Sequence, residues 1–186
     1  MHFFDKDKLV YKIVVRDAKE EEKIITLDGK DRVLSDSDIV ITDGEKAVCI
    51  AGVMGGLNTD VDDNTKNILI ESAIFDPISI RYTSSRLNLK SEASIRYGKG
   101  LNYEYTLMAM NRACHLLEKY ANAKILKDMV SYDKVDKTPK VVSFKSSEIN
   151  KMLGITISEE DVKKELERLD FKYTKKGDTF TCTIPN

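Results

Sequence analysis

Ile39-Val40-Ile41-Thr42-Asp43-Gly44-Glu45-Lys46-Ala47-Val48-Cys49-Ile50-Ala51-Gly52-Val53-Met54-Gly55-Gly56 is the stretch that decides the fold. Two short β-branched runs, 39–42 and 46–50, flank Asp43-Gly44, a pair suited to reversing the chain, so they predict an antiparallel hairpin. The same device lies upstream, where Lys23–Leu27 reverses through Asp28-Gly29 into Arg32-Val33-Leu34, and Tyr11–Arg16 supplies a further strand. Downstream, Asn67–Ala73 is apolar enough for a central strand, interrupted by Glu71.

Helices follow the strands. Asp76-Pro77 is an N-cap and N1 pair that opens a helix to about Arg86. Asn102–Ala121 carries Leu107, Met110, Ala113, Cys114, Leu117 and Tyr120 at helical spacing, which predicts a buried face. Ala123–Tyr132 is expected to return as a strand, and the polar stretch 133–140 reads as a linker. A smaller unit follows: a strand at Val141–Phe144, a helix over Ser147–Leu153 capped by Gly154, and a helix to Leu169 opened by Ser158 and Asp161. A hairpin across Gly177-Asp178 closes it. Strands first and helices after give an α+β class, with a mixed or antiparallel sheet and packed helices. The expected division is residues 1–138 and 139–186, the second unit reading as truncated.

The 186 residues hold 30 Lys+Arg against 31 Asp+Glu, so no global field drives the chain onto nucleic acid or membrane. No apolar run approaches the ~20 residues of a membrane span. Cys49, Cys114 and Cys182 are far apart and form no Cys/His cluster. They read as small buried hydrophobes in a reducing compartment, with neither a disulfide framework nor a metal site. A cytoplasmic location is the default expectation.

Four features could carry chemistry. The glycines of Ala51–Gly56 let the backbone approach a ligand closely, and equally suit a tight turn or bulge after a strand. Glu71 in its apolar strand must be paired, face water by alternation, or face a pocket, because burying a lone carboxylate is costly. Of the two histidines, His115 reads as a surface residue of the long helix, and no pattern singles out His2. Finally, Arg81, Arg86, Lys90, Arg96 and Lys99 face only Glu92 within 78–100, a basic stretch that could hold a phosphate backbone or simply be a solvated helix face.

Five segments in order also resemble a known family: His2-Phe3-Phe4-Asp5, Thr26-Leu27-Asp28-Gly29, Ala51–Gly56, Glu71-Ser72-Ala73-Ile74-Phe75-Asp76-Pro77, and Ser91-Glu92-Ala93-Ser94-Ile95-Arg96-Tyr97. Together they resemble the central editing domain of the β subunit of bacterial phenylalanyl-tRNA synthetase. Leu153-Gly154-Ile155 through Leu166–Phe171, ending Thr183-Ile184-Pro185, is similar to the start of its next, winged-helix-like domain. The resemblance implies an editing domain without its upstream portion, which binds tRNA and hydrolyses tyrosine mischarged onto the phenylalanine tRNA, aminoacylation being the α subunit's work in an (αβ)2 enzyme. It implies that Glu71 accepts the tyrosine hydroxyl and that His2 positions water or the terminal ribose. Ala51, Gly52, Val53, Met54, Gly55, Gly56 and Ser72 would shape the substrate pocket. Arg81, Arg86, Lys90, Arg96 and Lys99 would face tRNA. ATP and magnesium belong by resemblance to the full enzyme, with no cofactor expected in this stretch. The competing expectation is a non-catalytic RNA- or protein-binding module of the same fold.

Overall fold

The 39–56 stretch folds as three strands of a four-stranded antiparallel sheet in a computed structural model that describes residues 1–184. The expected Pro185 of the closing motif lies outside those residues. Strand β1 spans His2–Asp5, β2 Val14–Asp17, β3 Lys23–Ile25, β4 Asp31–Val33, β5 Ile39–Thr42, β6 Ala47–Ile50, β7 Met54–Gly55 and β8 Ile68–Glu71. The sheet order is β2-β5-β6-β7. Strand β6 is buried along its whole length, as an uninterrupted Ala-Val-Cys-Ile run requires, and it separates two apolar clusters. Ala47 and Ile50 pack in one cluster with Val40, Val53, Ile80 and Tyr97. Val48 and Cys49 pack in the other with Phe4, Ile41 and Ala51. Two short antiparallel ribbons, β1-β8 and β3-β4, complete the strands of this unit.

Helix α1 (Pro77–Arg86) starts as its sequence dictates: Asp76 accepts a hydrogen bond from the Ser79 amide at 2.7 Å, and Pro77 occupies the first turn. Helix α2 (Glu92–Tyr97) was not expected. Its signal is a capping box in which Ser91 and Ser94 each bond the other's backbone amide, serine standing where glutamate is usual. Helix α3 (Tyr105–Ala121) begins three residues later than the spacing suggested, and Asn122 ends it in the left-handed conformation.

Two expectations are corrected here. The predicted apolar face of α3 is only half buried at Met110, Ala113, Cys114 and Leu117, while Leu107 and Tyr120 are exposed. The segment 123–132 is not a strand: Leu126, Val130 and Tyr132 face solvent and no neighbouring strand satisfies its backbone. Periodicity marks a face that could be buried; a packing partner must exist for burial to occur.

The chain divides into two units, Met1–Met129 and a second starting at Val130. The second holds β9 (Lys140–Lys145), α4 (Ser146–Leu153), α5 (Glu159–Arg168), β10 (Lys172–Lys176) and β11 (Thr179–Ile184). Its antiparallel sheet has the order β10-β11-β9. Phe180 is its fully buried centre, stacked on Phe144 with ring centroids 5.5 Å apart. Gly154 closes α4 and Ser158 caps α5 by accepting from the Asp161 amide.

Candidate functional site

The turn after β6 builds one wall of the site. Gly52 adopts φ +66°, and the Val53 amide bonds back to the Ile50 carbonyl at 3.0 Å, so β7 returns antiparallel with Gly55 opposite Cys49. The glycine-rich stretch is thus both the tight turn and a cavity wall, the two readings the sequence had left apart. Gly55 is the position where a side chain could not stand: a Cβ there would run into the His2 ring, 2.6 Å from Nε2 and closer still to Cε1. Glycine lets the imidazole come close to the backbone.

The opposite wall comes from β1 and β8. These pair antiparallel with His2 directly across from Glu71, which places the two side chains on one face as cross-strand neighbours. His2 also meets Phe4 edge-on, with ring centroids 4.5 Å apart. His2, Gly52, Val53, Met54, Gly55 and Glu71 line a cavity of about 40 Å³. Met1, Cys49, Ala93 and Tyr97 complete its lining. That volume admits a water or the hydroxyl end of a side chain, since a water needs roughly 10–15 Å³ on this measure.

Two polar atoms in this cavity lack partners. His2 Nε2 and Glu71 Oε1 are both buried with no hydrogen bond among the described residues. Burial pushes the Glu71 carboxyl up from its ordinary value, against the pull of the N-terminal ammonium. Burial also lowers the His2 imidazole, helped by the same ammonium and opposed by Asp60, so a neutral ring is favoured at pH 7. Tyr97 is pushed up to about 12, first by burial and then by Glu71 and Cys49, and its hydroxyl donates to the Ala73 carbonyl at 3.0 Å. The Cys49 thiol is raised by burial and then by Glu71, and it points at the Ile50 and Met54 carbonyls. A thiol so held is no nucleophile.

Not every expected residue meets in the cavity. Ala51 lies behind the wall in the core, and Gly56 sits against β6, where a Cβ would be 2.8 Å from the Val48 carbonyl. Ser72 turns away: its hydroxyl donates to the Thr106 carbonyl in the first turn of α3. The sequence reading missed Tyr97, Ala93 and the role of Ser91, whose hydroxyl donates to the Val53 carbonyl at 2.5 Å and pins the glycine turn to the N-terminus of α2. Their signal was the Ser91–Tyr97 segment itself, noticed as a motif but not assigned to the pocket.

The basic stretch is not one patch. Arg86 is engaged with buried Asp38 and the Val33 carbonyl, and Arg96 pairs with Glu92 on α2. Arg81, Lys90 and Lys99 are exposed. Among the described residues no group of three or more His, Cys, Asp or Glu is placed to hold a metal. No helix of these residues is long and apolar enough to cross a membrane.

Comparison with known proteins is consistent along the chain. The B3/4 domain model matches residues 1–122, and the tRNA synthetase B5 domain model matches residues 142–186. The chain is 43% identical to the phenylalanine–tRNA ligase β subunit of Staphylococcus haemolyticus (strain JCSC1435) and 44% identical to that of Staphylococcus aureus (strain MRSA252). Both alignments take in 100% of this chain and 23% of the relative, so the chain spans about a quarter of the length of these relatives. A solved N-terminal fragment of the phenylalanyl-tRNA synthetase β subunit from Pyrococcus horikoshii aligns over 99% of this chain and 53% of that one, with TM-score 0.42 and 14% identity, too distant to carry an argument.

Proposed function

The chain belongs to the B3/4 domain family, and from that premise we propose that its first unit hydrolyses an aminoacyl ester on tRNA, removing tyrosine from the phenylalanine acceptor. The observation that carries this reading is the pair of unpartnered buried atoms, His2 Nε2 and Glu71 Oε1, across one glycine-walled cavity. A buried polar atom without a partner costs about 1–3 kcal/mol, which a group entering the cavity and bonding it would recover. Asp43 Oδ2 and Thr59 Oγ1 are also unpartnered, but neither residue lines this cavity. A phenol hydroxyl satisfies Glu71 and a phenyl ring does not. That difference supplies the discrimination an extra hydroxyl otherwise escapes in a pocket shaped for phenylalanine.

The chemistry asks little of the chain. Neutral His2 accepts a hydrogen bond from water through Nε2 and holds it against the ester carbonyl. The water oxygen bonds to the carbonyl carbon, the bond to the ribose oxygen breaks, and the proton passes to that oxygen as it leaves. Positioning water against an already reactive ester is the main contribution. Entry of a tyrosine side chain requires the lining to open, and the flexible Met1 and Met54 side chains are the parts that can yield.

In the same proposal residues 1–138 form the editing domain and 139–186 the start of a winged-helix-like domain. The partners are the phenylalanine tRNA and an α subunit, in the cytoplasm. ATP and magnesium serve aminoacylation in the full enzyme, and no step here runs through them. The test compares deacylation of tyrosyl- and phenylalanyl-tRNA(Phe) by the wild-type chain and by Glu71→Gln. Selective loss on the tyrosyl ester supports the assignment; equal rates in both proteins defeat it. The small cavity favours one second reading, a non-catalytic RNA-binding module, which would appear as tRNA binding with no deacylation.

A further inference from the structure

We propose that the outer face of α1 is a stacking platform for an unpaired RNA nucleotide, built from Tyr82 and Ile78 with Arg81 as its phosphate contact. The helix is two-faced. Ile80, Thr83 and Ser84 are buried against the sheet and α2, whereas Ile78, Arg81, Tyr82 and Ser85 line a shallow cleft of about 400 Å³ on the other side. Tyr82 is 74% exposed and Ile78 52% exposed. None of the hydrogen bonds or ring contacts among the described residues uses Tyr82, and Arg81 makes no hydrogen bond or ion pair among them. An aromatic face beside an exposed guanidinium, with a hydroxyl and no acidic residue lining the cleft, matches a nucleobase and its phosphate. The Asp76 carboxyl at the start of the same helix feels the Arg81 charge but does not line the cleft. An acidic peptide would use the cation and leave the ring idle.

The location joins this cleft to the cavity. The Arg81 stem packs over Gly98, where a Cβ would come within 2.9 Å of Arg81 Cγ. Gly98 ends α2 directly after Tyr97, a residue that lines the cavity. Lys99 comes next and is exposed. A strand whose terminal ester enters the cavity can therefore lay an upstream base on Tyr82 across the end of α2. In naming that strand as the substrate's own acceptor end, the inference rests on the function proposed above; the platform itself does not.

The test is fluorescence anisotropy of the 186-residue chain with a labelled single-stranded RNA of about eight nucleotides ending in CCA, a length within the range single sites cover. Tyr82→Ala is expected to weaken binding about 5- to 100-fold, the loss of one stacked base, while Tyr82→Phe and Tyr82→Trp stay near wild type. Arg81→Ala is expected to reduce the slope of log affinity against log salt by about 0.7, one phosphate contact on a single strand. Wild-type affinity in Tyr82→Ala overturns the proposal. So does an equal loss in Tyr82→Phe, or absence of RNA binding by the wild-type chain at low salt, which would leave the face to a polypeptide. The two readings fail separately. If Tyr82→Ala weakens RNA binding while Glu71→Gln deacylates both esters like wild type, the cavity assignment falls and the platform stands. The reverse pattern removes the platform alone.

Discussion

Asp38 and Glu71 are two carboxylates drawn into the same unit, and they are treated in opposite ways. Asp38 is 1% exposed and its oxygens are matched: Oδ1 accepts from Thr83 at 2.7 Å, and Oδ2 accepts from the Ser35 amide at 2.9 Å and pairs with Arg86. It ties the Ser35–Asp38 turn to α1. Glu71 is less buried as a residue, yet its Oε1 is sealed off with nothing to bond. A matched buried carboxylate stabilises a fold, whereas an orphaned oxygen that lines a cavity is one a ligand can complete.

Breaking the matched site should have the largest effect on folding. Asp38→Asn is expected to cost about 2–3 kcal/mol in urea denaturation, below the ~3–5 of a fully buried pair because the Arg86 side chain is 42% exposed. Hydrolysis per folded molecule should not change, and a loss under ~0.5 kcal/mol would erase the contrast. Gly55→Ala attacks the other site. The new methyl displaces His2, and a shift near 1 Å should lower deacylation about 100-fold. Its control is Gly29→Ala at a turn with φ +74° and open space around it, where only folding should suffer, by roughly 1 kcal/mol.

Glu71→Gln sharpens the comparison further. It should reduce the preference for tyrosyl over phenylalanyl ester about tenfold, within the ~1–3 kcal/mol of an unmet buried group, and leave stability undiminished. If it destabilises as much as Asp38→Asn, the two carboxylates play the same part. The smallest effect is on the pH dependence of stability. Because the folded-state Glu71 carboxyl lies above its ordinary 4.5, the native chain holds more protons than the unfolded one between that value and the raised one. Stability from this group is therefore full at lower pH and falls as pH rises through the window. His2, lowered from 6.5, acts with the opposite sign, its contribution rising with pH toward 6.5. Subtracting the Glu71→Gln profile from wild type isolates the Glu71 fall; no difference between the two profiles counts against a carboxyl raised by burial.

Much of the local structure was legible because its causes are local. Asp76-Pro77 starts α1, Ser158 starts α5, and Gly29 and Gly177 take the positive φ their turns need. Helix α2 was missed because serine at its third position is a weaker sign than glutamate. The 123–132 segment misled because its apolar residues look like a strand while nothing pairs with it.

Spacing and turn chemistry determined by themselves that this chain is an α+β protein, with hairpins before helices in its first unit, and ordered motifs pointed to its family. They could not put His2 across from Glu71. That register joins residues at the two ends of a long excursion, and it is fixed only when Phe4 and Leu69 are buried together against β6. Nor could they separate Arg86, held by Asp38, from Arg81, left to solvent a little over one helical turn away. Local pattern says which face of an element can be buried; the neighbour that buries it decides which polar groups are satisfied and which are left waiting.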